Sequence, residues 1–255
     1  MTAPSPSYLE TPQNRRLAYH LTEGAGPMVV FLGGLKSDME GSKALHLEAW
    51  AQRTGRAYLR FDYSGHGQSS GEFVDGCIGE WSDDALEMLM ARTNGPLVLV
   101  GSSMGGWISL RMAKALTERV VGLVTVAAAP DFTEDEWWEG MSEAEKAQMD
   151  RDGFIARPSE YEDSDYIITR KFIEDGRRNL VLRDPLPLPM VTRFLHGTGD
   201  ETVPTRLALR LLDHAEGPDM HLTLVEGADH RFSDARCLAL IEATVEAVLA
   251  QAGAA

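Results

Sequence analysis

Residues 96–118 read PLVLVGSSMGGWISLRMAKALTE and contain a strand pattern, a glycine-flanked serine and a helix pattern in direct succession. The apolar, β-branched run at residues 97–100 has the length expected of a buried strand. Apolar residues then recur every four positions, which predicts a helix with one buried face; they are Met104, Ile108, Met112 and Leu116. Between the two lies a G-x-S-x-G sequence, Gly101 to Gly105, so the stretch predicts a sharp strand–turn–helix unit.

Ser103 is the candidate nucleophile of this turn. A serine on a sharp turn from strand to helix has strained backbone angles, and the flanking glycines remove side chains that would collide there. Such a turn exposes the serine Oγ above the sheet and brings the first N–H groups of the helix close to it. A tightly packed glycine-rich turn without catalytic function is the alternative interpretation.

The same five-residue pattern occurs a second time at residues 67–71, GQSSG. It follows a strand end at residues 61–63 but leads into residues 72–76, EFVDG, which have no helical period. The sequence context therefore favours Ser103 over Ser69 as the nucleophile.

Outward from this unit, strand and helix patterns alternate along the chain. Strand patterns occupy residues 16–21, 27–32, 57–61, 97–100, 120–128, 190–195 and 221–225. Helix patterns occupy residues 40–53, 78–90, 104–116 and 205–214, and a last helix begins near Ser233, which can cap it. This alternation predicts a single α/β domain over residues 1–255, with a mainly parallel sheet and helices on both faces.

Residues 131–189 interrupt the alternation and are too long for a simple connection. They begin with DFTEDEWWEG, include helix patterns from 142 to 151 and up to 173, and contain a tyrosine-rich piece at 161–166. We expect a helical cap over the site, with a decorative surface insertion as the alternative. Trp137 and Trp138 either line an acyl pocket or seal the cap to the body. The acidic side chains at 134–145 are expected to disfavour anionic leaving groups.

Two later loops supply the partners that a serine nucleophile needs. Asp200 lies on a glycine-flanked turn after the strand at 190–195, and His230 lies in the loop before the last helix. The order Ser, acid, His after successive strands is that of the α/β-hydrolase fold. A histidine base activates the hydroxyl, and a carboxylate orients that histidine.

Other residues compete for these roles. Asp131 ends the strand after the Ser103 turn and is the main rival acid, whereas Asp229 is a neighbour of His230 that is expected to point elsewhere. His66 lies in a loop that can face the site, but it precedes the serine. The remaining histidines are explained by structural positions: His20, His46, His196, His214 and His221.

An oxyanion hole requires two N–H donors. The backbone N–H of Met104, directly after the serine, is one candidate. Leu35 is the other, in the glycine-containing loop that follows the strand at 27–32. Gly34 and Lys36 flank it and are candidate pocket residues, and Lys36 is a candidate cation for a carboxylate-bearing substrate.

The composition excludes several function classes. The formal net charge of −15 disfavours nucleic acid and anionic membrane surfaces. The two cysteines, Cys77 and Cys237, form no disulfide framework or metal-ligand pattern, so we expect no metal and a reducing cytoplasmic location. Residues 1–16 lack the apolar core of a signal peptide, and no apolar run approaches the roughly 18 residues of a membrane span.

The motifs together resemble the α/β-hydrolase family, in the group of mitochondrial palmitoyl-protein thioesterases and mycophenolic acid acyl-glucuronide esterases. The resemblance rests on residues 31–39 (FLGGLKSDM), 60–67 (RFDYSGHG) and 101–107 (GSSMGGW), with the loops of Asp200 and His230. It extends over about residues 16–249 and implies Ser103, Asp200 and His230 as the serine, acid and histidine of the family.

The leading hypothesis is a cofactor-free serine hydrolase that acts on esters or thioesters of small-molecule or acylated substrates. A lyase or cofactor-free oxygenase on the same fold is an alternative, since related folds carry different reactions. A non-catalytic binding protein is a third hypothesis. Ser103 itself argues against dehalogenase and carboxylate-type epoxide hydrolase chemistry, which use an aspartate at this position.

Overall fold

A computed structural model describes residues 5–157 and 165–253. Its main sheet has eight strands in the order β1-β2-β4-β3-β5-β6-β10-β12. The two pairs that β2 makes, with β1 and β4, are antiparallel, and every other neighbouring pair is parallel. The strands of this sheet are β1 Ser7–Glu10, β2 Arg16–Thr22, β3 Ala25–Leu32, β4 Arg56–Phe61, β5 Leu97–Ser102, β6 Val120–Val126, β10 Val191–Gly197 and β12 Met220–Val225.

Helices cover both faces of this sheet. Packed on one face are α1 and α7, which contribute Trp50 and Val245 to the core there. On the other face α2 and α3 contribute Trp81 and Trp107, both fully buried. The main helices are α1 Ser42–Thr54, α2 Ile78–Arg92, α3 Met104–Ala115, α6 Thr205–His214 and α7 Ala235–Ala252. The predicted α/β-hydrolase architecture, a mainly parallel sheet between helical layers, is confirmed.

The segment at residues 131–189 contains more than the short helices expected from the sequence. Thr133–Trp138 is a π-helix, and Phe154–Arg157 pairs with Tyr166–Thr169 in an antiparallel ladder that the sequence analysis did not predict. The further elements of residues 131–216 are α4 Glu143–Asp152, β7 Phe154–Arg157, β8 Tyr166–Thr169, α5 Arg170–Arg178, β9 Leu186–Pro187 and β11 Ala215–Glu216. Of the tyrosine-rich piece, residues 161–164 lie outside the described residues.

Most predicted elements begin and end within two residues of their predicted positions, but the helix predicted to run up to residue 173 extends to Arg178. The last helix is capped by Asp234, whose side chain accepts a hydrogen bond from the Cys237 N–H, and not by Ser233 as expected. Asp234 lies one residue closer to the helix, where its carboxylate reaches the N–H of the third helical residue. Ser142 caps α4 in a reciprocal capping box with Glu145.

Candidate active site

The turn between β5 and α3 holds Ser103 in a strained conformation. Its backbone angles are φ 55° and ψ −119°, a region that residues other than glycine rarely occupy. A Cβ at Gly101 would lie 2.3 Å from the Gly105 carbonyl oxygen, and one at Gly105 would lie 2.1 Å from that of Leu32. Both glycines are therefore required by close backbone approach, which explains the G-x-S-x-G sequence in physical terms.

Three side chains from distant parts of the chain meet above this turn. The Oγ of Ser103 is 3.0 Å from Nε2 of His230. The opposite ring nitrogen of His230, Nδ1, is 2.8 Å from Oδ2 of Asp200. The structure thus brings the predicted serine, histidine and acid into one hydrogen-bonded chain.

Two backbone hydrogen bonds fix the orientation of the Asp200 carboxylate toward His230. Its Oδ1 accepts hydrogen bonds from the backbone N–H groups of Thr202, at 3.0 Å, and Val203, at 2.7 Å. Oδ2 is left facing the imidazole, and the side chain is fully buried. His196 lies behind it and bonds to the Val203 carbonyl oxygen, while burial lowers the pKa of its imidazole. This supports the structural role expected for His196.

The two rival acids have other partners. Both oxygens of Asp131 accept backbone hydrogen bonds, from the N–H groups of Val181 at 2.8 Å and Leu182 at 2.9 Å. Asp131 thus ties the end of the β6 segment to the returning chain of residues 180–183. The exposed Asp229 accepts a hydrogen bond from the Phe232 N–H within its own loop. Neither of these contacts is to His230.

His66 does not face the serine. It is buried in an aromatic cluster against the rings of Tyr63, Phe73 and Trp81. Burial lowers the pKa of its imidazole to about 4, so the ring is neutral at physiological pH. The second G-x-S-x-G copy is structural in a similar way, because Ser69 Oγ accepts from the Ala18 N–H and donates to the Asp62 carbonyl oxygen.

The loop after β3 lies against the nucleophile. A Cβ at Gly34 would lie 3.4 Å from the Cβ of Ser103, which places Gly34 next to the nucleophile. Leu35 follows in the same loop and lines the pocket above Ser103. The N–H of Met104 is the first of helix α3 and has no acceptor within the helix.

The buried carboxylate of Asp62 stabilises this loop through backbone hydrogen bonds. Its Oδ1 accepts a hydrogen bond from the Met39 N–H at 2.6 Å, and its Oδ2 accepts one from the Gln68 N–H at 2.8 Å. Burial raises the pKa of this carboxyl to about 6, despite the two hydrogen bonds that favour the ionised form. No sequence pattern marks Asp62 as important, and only its contacts reveal its role.

Ser103 and His230 line a pocket of about 380 Å³. The apolar part of its lining comes from the residues just after β6, the 131–189 segment, the loop before α6 and α6 itself. Its members are Ala129, Phe132, Trp137, Val203 and Leu207. The polar part of its lining comes from the loop after β3, the start of α1 and the loop of His230. Its members are Ser37, Asp38, Ser42, Lys43 and Arg231.

The two adjacent tryptophans have different environments. Trp137 lines the pocket, with its ring edge-on to Phe132 at a centroid distance of 4.9 Å. Trp138 is not among the described residues that line the pocket. Its ring instead lies beneath the guanidinium of Arg177, 4.4 Å away, and near the ammonium of Lys146. Consecutive residues of a helical turn point in different directions, which separates the pair.

Lys36, in the loop after β3, also lines the pocket. Its ammonium lies 4.9 Å from the ring centre of Tyr166 and 5.4 Å from that of Phe73. These cation–π contacts place Lys36 between the body of the domain and the strand β8.

The acidic start of the 131–189 segment is paired with arginines. Glu134 bonds to Arg177, and Asp135 bonds to Arg183 and Arg210. Glu136, which lines the pocket, accepts two hydrogen bonds from Arg206 at 2.8 and 2.9 Å. The expected repulsion of anionic groups by this segment is therefore weakened, because its carboxylates near the site are already neutralised.

The described residues contain no group of three or more histidine, cysteine, aspartate or glutamate side chains that could hold a metal ion. Across residues 5–157 and 165–253, no helix is both long enough and apolar enough to cross a membrane.

Comparison with known proteins identifies the family. The model of the alpha/beta hydrolase family matches residues 29–243, most of the chain. The chain belongs to the α/β-hydrolase family. The palmitoyl-protein thioesterase ABHD10, mitochondrial, of Rattus norvegicus is 34% identical over 241 residues, which cover 94% of this chain and 81% of that protein.

Two solved structures are similar throughout. A putative hydrolase from Agrobacterium vitis S4 has a TM-score of 0.92 and 36% identity, covering 97% of this chain and 100% of that one. Mouse alpha/beta hydrolase domain-containing protein 10 has a TM-score of 0.91 and 32% identity, covering 97% of this chain and 99% of that one. Close relatives that are named as thioesterases support hydrolase chemistry in this family member.

The comparisons correct one expectation from the sequence. We predicted a cytoplasmic location, but the relatives of this chain from five mammals are named as mitochondrial proteins. The prediction was wrong because it rested on free cysteines, which indicate a reducing environment without distinguishing one reducing compartment from another.

Proposed function

We propose that the protein is a serine hydrolase that cleaves carboxylic esters or thioesters, of the acyl-protein thioesterase or acyl-glucuronide esterase type. The observation that carries the proposal is the hydrogen-bonded chain from Ser103 through His230 to the buried carboxylate of Asp200, with Ser103 facing a pocket. The names of the mammalian relatives, palmitoyl-protein thioesterases, support an acylated substrate.

The reaction follows from the positions of the hydrogen-bonding atoms. His230 Nε2 accepts the Ser103 proton as Oγ attacks the substrate carbonyl carbon, and the N–H groups of Leu35 and Met104 stabilise the oxyanion. His230 then protonates the leaving oxygen or sulfur, and an acyl-enzyme remains. Water, deprotonated by His230, attacks the acyl carbon, releases the carboxylic acid and restores Ser103. Asp200 keeps a proton on Nδ1 and stabilises the imidazolium throughout. The chemistry requires no cofactor.

The 131–189 segment serves as a cap in this proposal, within a single domain over residues 1–255. Phe132, Trp137 and Tyr166 of this segment line the pocket. Together with Val203 and Leu207 they offer an apolar wall for the acyl chain, and they reduce the access of water to the acyl carbon.

Active-site labelling tests the proposal. A fluorophosphonate probe should label Ser103 of the wild-type protein, and Ser103→Ala should abolish both labelling and turnover of p-nitrophenyl octanoate. Loss of a triad serine reduces kcat by several orders of magnitude. Ser69→Ala is the matched control, since it removes the serine of the second G-x-S-x-G copy, and it should retain labelling. Labelling that survives Ser103→Ala, or the absence of ester and thioester turnover, would refute the assignment and favour a lyase, oxygenase or binding protein.

A further inference from the structure

The turn that carries Asp200 is bound on both sides of one residue, Val203. The Val203 N–H donates a hydrogen bond to Asp200 Oδ1 at 2.7 Å, and the Val203 carbonyl oxygen lies 2.9 Å from Nε2 of His196. His196 belongs to β10, which pairs with β6 on one side and β12 on the other. Through His196 and Val203, the turn of the acid is therefore tied to an interior strand of the main sheet.

The contact with Val203 determines the tautomer of His196. A carbonyl oxygen can only accept, so Nε2 of His196 must carry the proton. The opposite ring nitrogen, Nδ1, has no hydrogen-bond partner among the described residues. The side chain is 1% exposed, and burial lowers the pKa of the imidazole, so the ring is neutral at physiological pH. His196 thus presents one N–H donor to the turn and carries no net charge.

His196 also lies close to the catalytic pair itself. Its Nε2 is 3.8 Å from Oδ2 of Asp200, the oxygen that binds Nδ1 of His230 at 2.8 Å. This distance to Asp200 is too long for a hydrogen bond. Among the described residues, Asp200 and His230 are the titratable groups whose charges act on the His196 imidazole. A neutral His196 leaves the Asp200 charge available to stabilise the His230 imidazolium, whereas a protonated ring would oppose that imidazolium.

A role in packing alone does not account for an imidazole at this position. Burial of a polar ring costs free energy that an apolar side chain of similar size avoids. The bond to Val203 offsets this cost, and Val203 is itself buried, so its carbonyl oxygen needs a donor. What distinguishes histidine here from an apolar residue is the Nε2–H donor.

We propose that His196 is a positioning residue for the catalytic acid, and that its Nε2–H donor holds the turn at residues 200–203 so that Asp200 Oδ2 faces His230. This inference rests on the proposed hydrolase function, because it assigns the residue that orients the acid of the same triad. Without the donor, the turn relaxes to satisfy the Val203 carbonyl oxygen and moves the carboxylate. A displacement of about 1 Å can lower the rate of a reaction about 10²-fold.

Two amide substitutions separate the donor from the volume of the side chain. The amide nitrogen of glutamine can reach the position of Nε2, whereas that of asparagine reaches only the position of Nδ1. His196→Gln should therefore keep the bond to Val203 and retain kcat for p-nitrophenyl octanoate within about threefold of the wild type. His196→Asn should lower kcat by about 10- to 100-fold.

Long-range proton–nitrogen NMR spectra of the histidine rings provide a measurement that does not depend on turnover. In the wild type, His196 should carry its proton on Nε2, and His230 should show a low-field Nδ1–H proton from its hydrogen bond to Asp200. The His230 proton signal should persist in His196→Gln and broaden or disappear in His196→Asn. A His196 that only fills space would leave the signal the same in both variants.

His66→Gln is the matched control. It replaces another buried, neutral histidine, whose Nδ1 bonds to the Ser64 carbonyl oxygen, a position that the glutamine amide does not reach. This variant should have a lower thermal midpoint and an unchanged kcat per folded molecule. A loss of kcat equal to that of His196→Asn would assign both effects to a general loosening of the fold and overturn the proposal.

The remaining outcomes separate the positioning role from the hydrolase assignment. Equal kcat in His196→Gln and His196→Asn, whether lowered or retained, would overturn the positioning role and leave the hydrolase intact. A proton on Nδ1 of His196 in the wild type would also overturn it, and this measurement decides even if His196→Asn does not fold. Absence of turnover in the wild type would refute the hydrolase, whereas the NMR measurements would still test the contact between His196 and the turn.

Discussion

Replacement of Asp200 by asparagine provides the sharpest test of the proposed triad. In the wild-type protein Oδ1 of Asp200 accepts two backbone hydrogen bonds, and Oδ2 faces Nδ1 of His230 at 2.8 Å. The amide oxygen of asparagine must keep the Oδ1 position, because only an oxygen can accept from the Thr202 and Val203 N–H groups. The amide nitrogen must then point at His230.

The consequence for His230 is a change of tautomer. An amide nitrogen donates its proton to Nδ1, so the neutral imidazole must carry its own proton on Nε2, the atom that faces Ser103. A protonated Nε2 cannot accept the serine proton, and the buried negative charge that stabilises the imidazolium is also lost. We expect Asp200→Asn to reduce kcat by up to about 10⁴-fold, with little change in the thermal midpoint. Stopped-flow acylation by p-nitrophenyl octanoate and a melting curve of the same sample measure both quantities.

Asp131→Asn is the matched control for this experiment. Both oxygens of Asp131 accept backbone N–H groups, so one amide nitrogen must face a donor and one buried hydrogen bond is lost. The expected cost is about 1–3 kcal/mol of folding free energy, with kcat per folded molecule retained. An active Asp200→Asn beside an inactive Asp131→Asn would transfer the acid role to Asp131 and refute the reasoning.

Two further predictions concern the apolar pocket lining and the loop after β3. Trp137→Ala should lower kcat/KM for octanoate esters at least tenfold more than for acetate esters. Trp138→Ala should affect the two esters alike, because the Trp138 ring contacts Arg177 and does not line the pocket. Equal chain-length selectivity in both variants would contradict the assignment of Trp137. The Asp62 pKa of about 6 means that the folded state retains a proton which the unfolded state has lost, so its contribution to stability decreases between pH 4 and 6. The Asp62→Asn variant is the reference, because its side chain does not titrate. Relative to this variant, the unfolding free energy of the wild type in denaturant titrations should fall by up to about 3 kcal/mol across that window. A difference between the two proteins that stays constant with pH would show that the Asp62 pKa is normal.

The alternation of apolar strands and amphipathic helices could be read from the sequence because each element has its own period. Residues 97–100 are all apolar and residues 120–128 nearly so, as is typical of strands buried on both faces, and the corresponding strands β5 and β6 are central in the sheet. The ladder of β7 and β8 was missed because it forms locally within the 131–189 segment, where four-residue strands carry too short a pattern to distinguish them from loop.

The residues of the candidate site likewise fall into those that a sequence pattern marks and those that it does not. Ser103, Asp200 and His230 could be selected because each follows a strand pattern in the order typical of the fold. His196 and Asp62 carry no such signal. A histidine within a strand and an aspartate after a strand are ordinary residues in a sequence, and only enclosure by other segments changes their pKa values and their partners.

The sequence by itself determined the family, the layered α/β architecture and the residues with the chemistry of a nucleophile, a base and an acid. These features depend on local periodicity and on glycines whose steric requirement acts over a few residues, as at Gly101 and Gly105. Only the tertiary structure decided which carboxylate meets His230, which tryptophan faces the pocket and which cations line that pocket. Those outcomes depend on distances between residues up to 127 positions apart in the chain, such as the 3.0 Å between Ser103 and His230, and no local pattern encodes such a distance.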